Sequence, residues 1–212
     1  MISLKVRGCN VDILPIVKGL VSETEKIREA YGGYEAYSAA LGIEEIMAIK
    51  CRDEIEGIQE LSEIDMVYVH HLSKFGEIET PTPAFCELID LCTKDSIEVI
   101  PLDMNNEEFT EMYILTVKTL EFVREHRLAK KGMKRSFDMS SPESFAISWD
   151  DYLNKVKGYE KVSRKREAYI ASQITDIAKY RHSLLAVIEA ERVYSVVEHL
   201  KRGDDDGKVS PL

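Results

Sequence analysis

One apolar run near the end of the chain, Leu184-Leu185-Ala186-Val187-Ile188, constrains the fold more than any other segment. It is short, bounded by polar residues and rich in branched side chains, so it reads as a buried strand. Glu189-Ala190-Glu191-Arg192-Val193 then turns the chain at once into a closing helix, Tyr194 to Lys201. A strand that turns directly into a helix sets its turn residues at the carboxyl end of a sheet, where open α/β proteins hold their ligands. Here the turn is charged rather than small and Gly-rich. It marks a place for a site without naming the chemistry.

The rest of the chain can be arranged around that strand. Ile2 to Val6 alternates like an opening strand and ends at Gly8. Val11 to Ala30 carries apolar residues at mostly helical spacing, with Pro15 in the tolerant first turn. Gly32-Gly33 breaks the chain, and Tyr34 to Leu41 reads as a short helix with Gly42 as a left-handed cap. Ile43 to Leu61 fits either a strand at Ile46-Ile49 or a helix, and Ile55, Ile58 and Leu61 favour the helix. Asp65-Met66-Val67-Tyr68-Val69 reads as a buried strand with His70-His71 at its end. Thr82-Pro83 opens a helix with Phe85, Leu88, Ile89 and Cys92 on one face, and Ile97 to Ile100 forms the next strand, stopped by Pro101. Strand, helix and strand make a βαβ unit with a parallel sheet.

Asn106 is placed to cap the longest helix, which runs on from Glu107 with Phe109, Met112, Tyr113, Leu115, Thr116, Leu120 and Val123 at helical steps. Ser141-Pro142 and Ser148-Trp149-Asp150-Asp151 each look like helix starts. Arg164 to Lys179 is the helix before the last strand. The expected fold is therefore α/β, with a mainly parallel central sheet, flanking helices and a helical insertion over about 107–180. Residues 1–203 form a single domain, and the acidic tail 204–212 is expected to be disordered.

Composition narrows the function classes. Of the 212 residues 44% are hydrophobic and 31% charged, which fits a soluble globular protein with a sizeable core. A net charge of −10 argues against nucleic acid, where phosphate neutralisation supplies most non-specific affinity. The basic stretch Arg124 to Arg135, with His126 inside it, is read as a solvated helix end. No apolar run approaches the ~18 residues of a membrane span, and Met1 to Lys5 is unlike a signal peptide. Cys9, Cys51, Cys86 and Cys92 lack CxxC spacing and read as reduced thiols, which fits a cytoplasmic protein.

Several polar residues are candidates for a site. His70 and His71 follow the expected strand, so a ring there could ligate a metal or serve as a general base; the alternative is one ring bonded to backbone and one in solvent. Asp103 follows Ile100-Pro101-Leu102 and either joins a site or caps the next turn. Arg166 could hold an anionic ligand or a strand-end carboxylate by bidentate contact, or cover the surface with its stem. Glu189, Glu191 and Arg192 surround the last strand-to-helix turn, where carboxylates also favour the helix dipole. Tyr31, Tyr34 and Tyr37 form an aromatic stripe suited to packing, and Trp149 reads as an anchor. There is no GxSxG, GxGxxG, P-loop or HExxH.

Taken in order, several segments resemble the TraB/PrgY family and its Tiki and erythromycin-esterase-like relatives. Lys165-Arg166-Glu167-Ala168-Tyr169-Ile170-Ala171 is similar to the family's Glu-Arg-Asp/Asn-x-x-Met-Ala helix. Leu184 to Val193 resembles its closing Val-Val-Gly-Ala-Gly-His-Val, Asp65 to Leu72 its Asp-Val-Val-Ala-Val-Glu-Leu, and Ile97 to Met104 its strand ending in Asp-Arg. Arg7 to Val11 occupies the place of its Gly-x-x-His. The resemblance implies a parallel-sheet core with a helical insertion and a metal-assisted hydrolytic site. The departures fall on that site. The family histidines fall on Val11 and Arg192, the strand-end glutamate on His70, and the arginine after Asp103 on Met104. Only Gly8, Asp103 and Arg166 keep the expected chemistry.

Two readings follow. One is a divergent TraB-like cytoplasmic protein with a degenerate metal site, acting as a non-catalytic binding or regulatory module for a small-molecule or protein ligand, as a homo-oligomer. The other is a hydrolase, metal-assisted or acid–base, with a rebuilt site of His70, Asp103 and Arg166 as catalytic groups and His71, Glu189, Glu191 and Arg192 as binding groups. The cofactor is left open, with a divalent metal as the candidate. Convergence of His70, Asp103 and Glu189 in one pocket separates the two.

Overall fold

In the computed structural model, which describes residues 1–54 and 61–204, five strands form one sheet in the order β1-β2-β5-β3-β4. The strands are β1 (Ile2–Val6), β2 (Cys9–Ile16), β3 (Ala36–Ala39), β4 (Val99–Pro101) and β5 (Ser183–Glu189). Only β1 runs antiparallel, as a hairpin on β2; β2, β5, β3 and β4 are parallel. The expected mixed, mainly parallel sheet is therefore present, with β5 at its centre.

β5 is apolar throughout because helices cover both of its faces. Leu184, Ala186 and Ile188 pack on the side of α8 (Lys157–Ile177) and α9 (Ala190–Asp204), against Ile170, Ile174 and Val196. Leu185 and Val187 point the other way, into a cluster with Ile27, Ile46, Phe85 and Leu88. Those four come from α1 (Glu23–Ala30), α2 (Ile43–Lys50) and α4 (Pro83–Lys94). Each large aliphatic side chain so enclosed contributes roughly 1.5–3 kcal/mol. A third cluster lies under α3 (Glu63–Leu72), α6 (Thr119–Gly132) and α7 (Pro142–Leu153), around Phe145, Trp149 and Leu72. The remaining helix, α5 (Asn106–Thr116), packs on α8.

Several sequence expectations are corrected. Val11 to Ile16 is strand, not helix, and Pro15 survives there because β1 pairs with β2 only as far as Ile13. No β1 residue stands opposite the missing N–H. Ala36 to Ala39 is likewise strand; its four residues are all buried, so both faces are covered and no alternation betrays it. Asp65 to Val69 is helix. Ser62 caps it by accepting from the Asp65 N–H at 3.1 Å, and only one side, with Val67, His71 and Leu72, is buried. The partner of β4 is thus β3 rather than residues 65–69.

The long helix expected from Glu107 is two, α5 and α6, and the longest is α8. The cap of α5 is Asn105, one residue before the expected Asn106, and it accepts from the Glu108 N–H at 2.9 Å. Ser141-Pro142 does open α7, whereas Ser148 to Asp151 lies inside it. Gly42 is not left-handed: it precedes α2 at φ −73°, and a Cβ there would stand 2.6 Å from the Met104 carbonyl oxygen. The expected helix through Ile55 and Ile58 and the disordered tail beyond Asp204 lie outside the described residues.

Candidate functional site

The carboxyl ends of the parallel strands open into a cavity of about 500 Å³. Lys18 and Gly19 enter it from the end of β2, Ala40 and Leu41 from β3, and Glu189, Glu191 and Arg192 from the β5–α9 junction. The other wall mixes apolar and aromatic side chains, Ile64, Tyr68 and Val69 of α3, Phe85 of α4 and Trp149 of α7, with the acids Glu45 of α2, Asp65 of α3 and Asp150 of α7. Tyr68 donates to the Lys18 carbonyl at 3.2 Å, which fixes its ring against the β2 end.

The charged floor of this cleft comes from the absence of a loop. α9 starts at Ala190, directly after Glu189, so Glu189, Glu191 and Arg192 are crowded within four residues. The Glu189 side chain is only 9% exposed and that of Arg192 11%. They face each other at 3.8 Å, Nε to Oε2, close enough to attract but too far for a hydrogen bond. Glu189 Oε2, Glu191 Oε2 and Arg192 Nε and Nη1 are all buried without a hydrogen-bond partner. Each such atom forgoes roughly 1–3 kcal/mol, more for charged groups, so four together are unusual in a folded protein.

The electrostatics follow from that crowding. Burial, reinforced by the Glu189 carboxylate, pushes Glu191 up to about 7, although Arg192 pulls the other way. The dipole of α9 favours the ionised form by roughly 0.3–1 kcal/mol, too little to reverse the burial. Asp150 is pushed up to about 6, again first by burial, with Arg192 opposing; its Oδ2 accepts from Asn154 Nδ2 at 2.6 Å. Burial also holds the Tyr68 phenol well above its ordinary range, and Glu191 and Glu189 add to the effect. Two carboxyl groups in one cleft are thus both raised above the ordinary carboxylate range, towards the values that acid–base chemistry uses.

Of the residues singled out in the sequence, Glu189, Glu191, Arg192 and Arg166 line the cleft. Asp103 stands directly behind Arg166: its Oδ2 accepts from Arg166 Nε at 2.7 Å and from Nη2, and its Oδ1 from the Met104 N–H at 2.8 Å. Burial alone would lower the Arg166 pKa; Asp103 more than reverses this and holds it above the ordinary value. Arg166 is therefore a paired wall of the cleft, not a free anion holder. The histidines are elsewhere. His70 is exposed on α3. His71 is buried in the third cluster, where its Nε2 donates to the Gly132 carbonyl at 3.1 Å between Phe137 and Phe145. His70, Asp103 and Glu189 do not converge, because residues 65–72 are a helix packed on α6 and α7 and not a strand of the sheet.

Asp150, Tyr68 and Trp149 were not assigned to a site from sequence. Trp149-Asp150 stood out as a pair, but only the packing of α7 against α9 turns it towards Arg192. The Tyr31, Tyr34 and Tyr37 stripe is structural, with Tyr31 stacked on Tyr37 at 4.9 Å. The four cysteines are free thiols, Cys9 and Cys92 buried.

No protein-family model, no curated protein and no solved structure matches this chain. The donor set does not fit a catalytic metal. Of the positions where the TraB-like resemblance implies histidines, Val11 is a fully buried residue of β2 outside the cleft lining, and Arg192 puts a cation where a metal would sit. Among the described residues no three His, Cys, Asp or Glu side chains are grouped to hold a metal ion. None of the described helices is long and apolar enough to cross a membrane.

Proposed function

We propose that this chain is a small-molecule-binding α/β protein, a divergent TraB-like member that has exchanged the family's metal site for a charged cleft. The observation that carries this reading is the set of unpartnered polar atoms on Glu189, Glu191 and Arg192, facing a cavity that Tyr68, Phe85 and Trp149 also line. That combination, a concave apolar pocket with a few convergent polar groups, is what ligand sites share. Free thiols accord with a cytoplasmic setting, and exposed Ile114, Leu115 and Leu120 supply an apolar surface for self-association.

A second reading, acid–base hydrolysis, rests on Glu191 and Asp150, which share the cleft and are pushed up by burial to about 7 and about 6. It needs neither His70 nor a metal. The deciding experiment is a thermal-shift screen of the full chain against a small-molecule library, repeated with Ala48→Trp. Ala48 is exposed at the cleft mouth, so the larger ring blocks entry without entering the core. Ligands that raise Tm of the parent chain and not of the blocked variant support the reading. A screen with no such ligand sinks it. Turnover of a bound ester or amide, lost in Glu191→Gln, separates the hydrolase from the binding module.

A further inference from the structure

We infer that the ligand of this cleft is an organic ammonium carrying an oxygen acceptor beside the charged nitrogen, on an apolar body, as in an aromatic amino alcohol. The inference rests on the reading of the cleft as a small-molecule site and adds the chemistry of the molecule. It starts from what the unpartnered atoms require. Glu189 Oε2 and Glu191 Oε2 are acceptors and need N–H or O–H donors; Arg192 Nε and Nη1 are donors and need an acceptor. Glu189 and Arg192 stand 3.8 Å apart without bonding each other, so one compact polar head that offers both kinds of group satisfies them together.

The sign of the head follows from the charges around it. From β5 comes Glu189, from α9 Glu191 and Arg192, from α7 Asp150, from α2 Glu45 and from α3 Asp65, while Glu167 of α8 acts on Asp150; Tyr68 of α3 adds a neutral phenol. Arg166 is already neutralised by Asp103, and Lys18 is exposed at the mouth. Carboxyl groups thus outnumber the Arg192 guanidinium, which stands 3.8 Å from Glu189. The cluster meets its excess of negative charge by keeping protons on Glu191 and Asp150. A cationic head takes the place of those protons, which an anionic head cannot do. The aromatic wall, Tyr68 with Trp149 and Phe85, suits an apolar body and offers ring faces to the cation.

The test uses three probes with one body: phenylalaninol as the ammonium alcohol, 3-phenylpropionate as the anion and 3-phenylpropanol as the neutral alcohol. Each is titrated calorimetrically into the full chain at pH 6 and pH 8. Phenylalaninol stays protonated over this range, while Glu191 and Asp150 lose their protons. Its affinity therefore rises, on the order of tenfold, and proton release accompanies binding at pH 6. Glu189→Gln weakens it at least tenfold, and circular dichroism checks that this variant folds; if it does not, Glu191→Gln carries the same comparison. Tighter binding of 3-phenylpropionate or 3-phenylpropanol, or an ammonium affinity that falls from pH 6 to pH 8, overturns the inference. In that case a bound probe that Ala48→Trp excludes leaves the cleft itself standing as a site. Failure of all three probes overturns the inference, and the library screen then decides for the cleft.

Discussion

The two ends of the same parallel sheet are built on opposite principles. At the amino end the starts of β2, β3 and β5 are tied together. Glu35 accepts from the His182 N–H at 2.7 Å, its own N–H donates to Ser183 Oγ at 2.9 Å, and the Asn10 N–H donates to the His182 carbonyl at 2.9 Å. Asp12 accepts from Tyr34 Oη at 2.7 Å and from Ser3 Oγ. At the carboxyl end Glu189, Glu191 and Arg192 are more deeply buried and yet carry unpartnered atoms. Paired polar groups stabilise a fold modestly, whereas buried unpaired ones oppose it. The contrast lies in the pairing of polar groups, complete around Glu35 and Asp12 and incomplete at the β5–α9 junction. It also implies that removing a polar group should have opposite effects according to whether it is paired.

The largest effect is expected where a paired charge supports the edge of the cleft. Asp103→Ala strands the Arg166 guanidinium, whose side chain is only 21% exposed, and should lower stability by about 3–5 kcal/mol in urea unfolding. A loss under 1 kcal/mol would mean that Arg166 finds water easily and that the wall of the cleft is open. Next comes the adjacent histidine pair. His71→Ala removes a buried ring and its bond to Gly132, for a loss of roughly 2–3 kcal/mol, while His70→Ala at an exposed position should change stability by no more than ~0.5 kcal/mol. Equal effects would contradict the helix at 63–72.

That histidine pair also marks how far the sequence could be read. β5, the charged turn after it and the amphipathic faces of α4 and α8 were legible, because Leu184 to Ile188 is wholly apolar and bounded by polar residues, while α4 and α8 keep a 3.6-residue period over several turns. Residues 65–69 were not, since a short apolar run fits a buried strand and the buried face of a helix equally well. The Ser62 cap and its bond to Asp65 were the local signals that favoured helix. Ala36-Tyr37-Ser38-Ala39 failed in the other direction: no β-branched residue marks it, and only its pairing with β5 and β4 makes it a strand. Half of the site was visible as Glu189, Glu191 and Arg192. Asp150, Tyr68 and Trp149 reach it through tertiary packing of α3 and α7, which no local spacing encodes.

At the unpaired end the expected sign reverses. The folded chain keeps the Glu191 proton up to about pH 7, while an unfolded chain releases it near 4.5. Ionisation inside the fold therefore removes stability as pH rises through that window, and the penalty is complete above pH 7. Glu191→Gln cannot ionise. It should match the parent near pH 4 and exceed it at pH 8 by about 2 kcal/mol, from the free energy of a shift of this size reduced for solvent access. Asp150 acts with the same sign between its ordinary 3.8 and about 6, so the variant keeps a shallower slope. Parallel pH profiles of the two chains would show that Glu191 titrates as an ordinary surface carboxylate.

The smallest effect belongs to the amino end and tests the pairing rule where it is most exposed to water. Tyr34 is half-buried, and burial together with its bond to Asp12 pushes its phenol up to about 12, so it remains a neutral donor at any pH where the fold is studied. Tyr34→Phe keeps the ring against Tyr37 and deletes one charge-assisted hydrogen bond. Asp12 retains Ser3 and access to water, so the loss should be only about 1 kcal/mol. It should be the same at pH 5 and pH 8, unlike the gain in Glu191→Gln. A stability gain in Tyr34→Phe would place unrelieved polar groups at both ends of the sheet, and the cleft would lose the feature that distinguishes it.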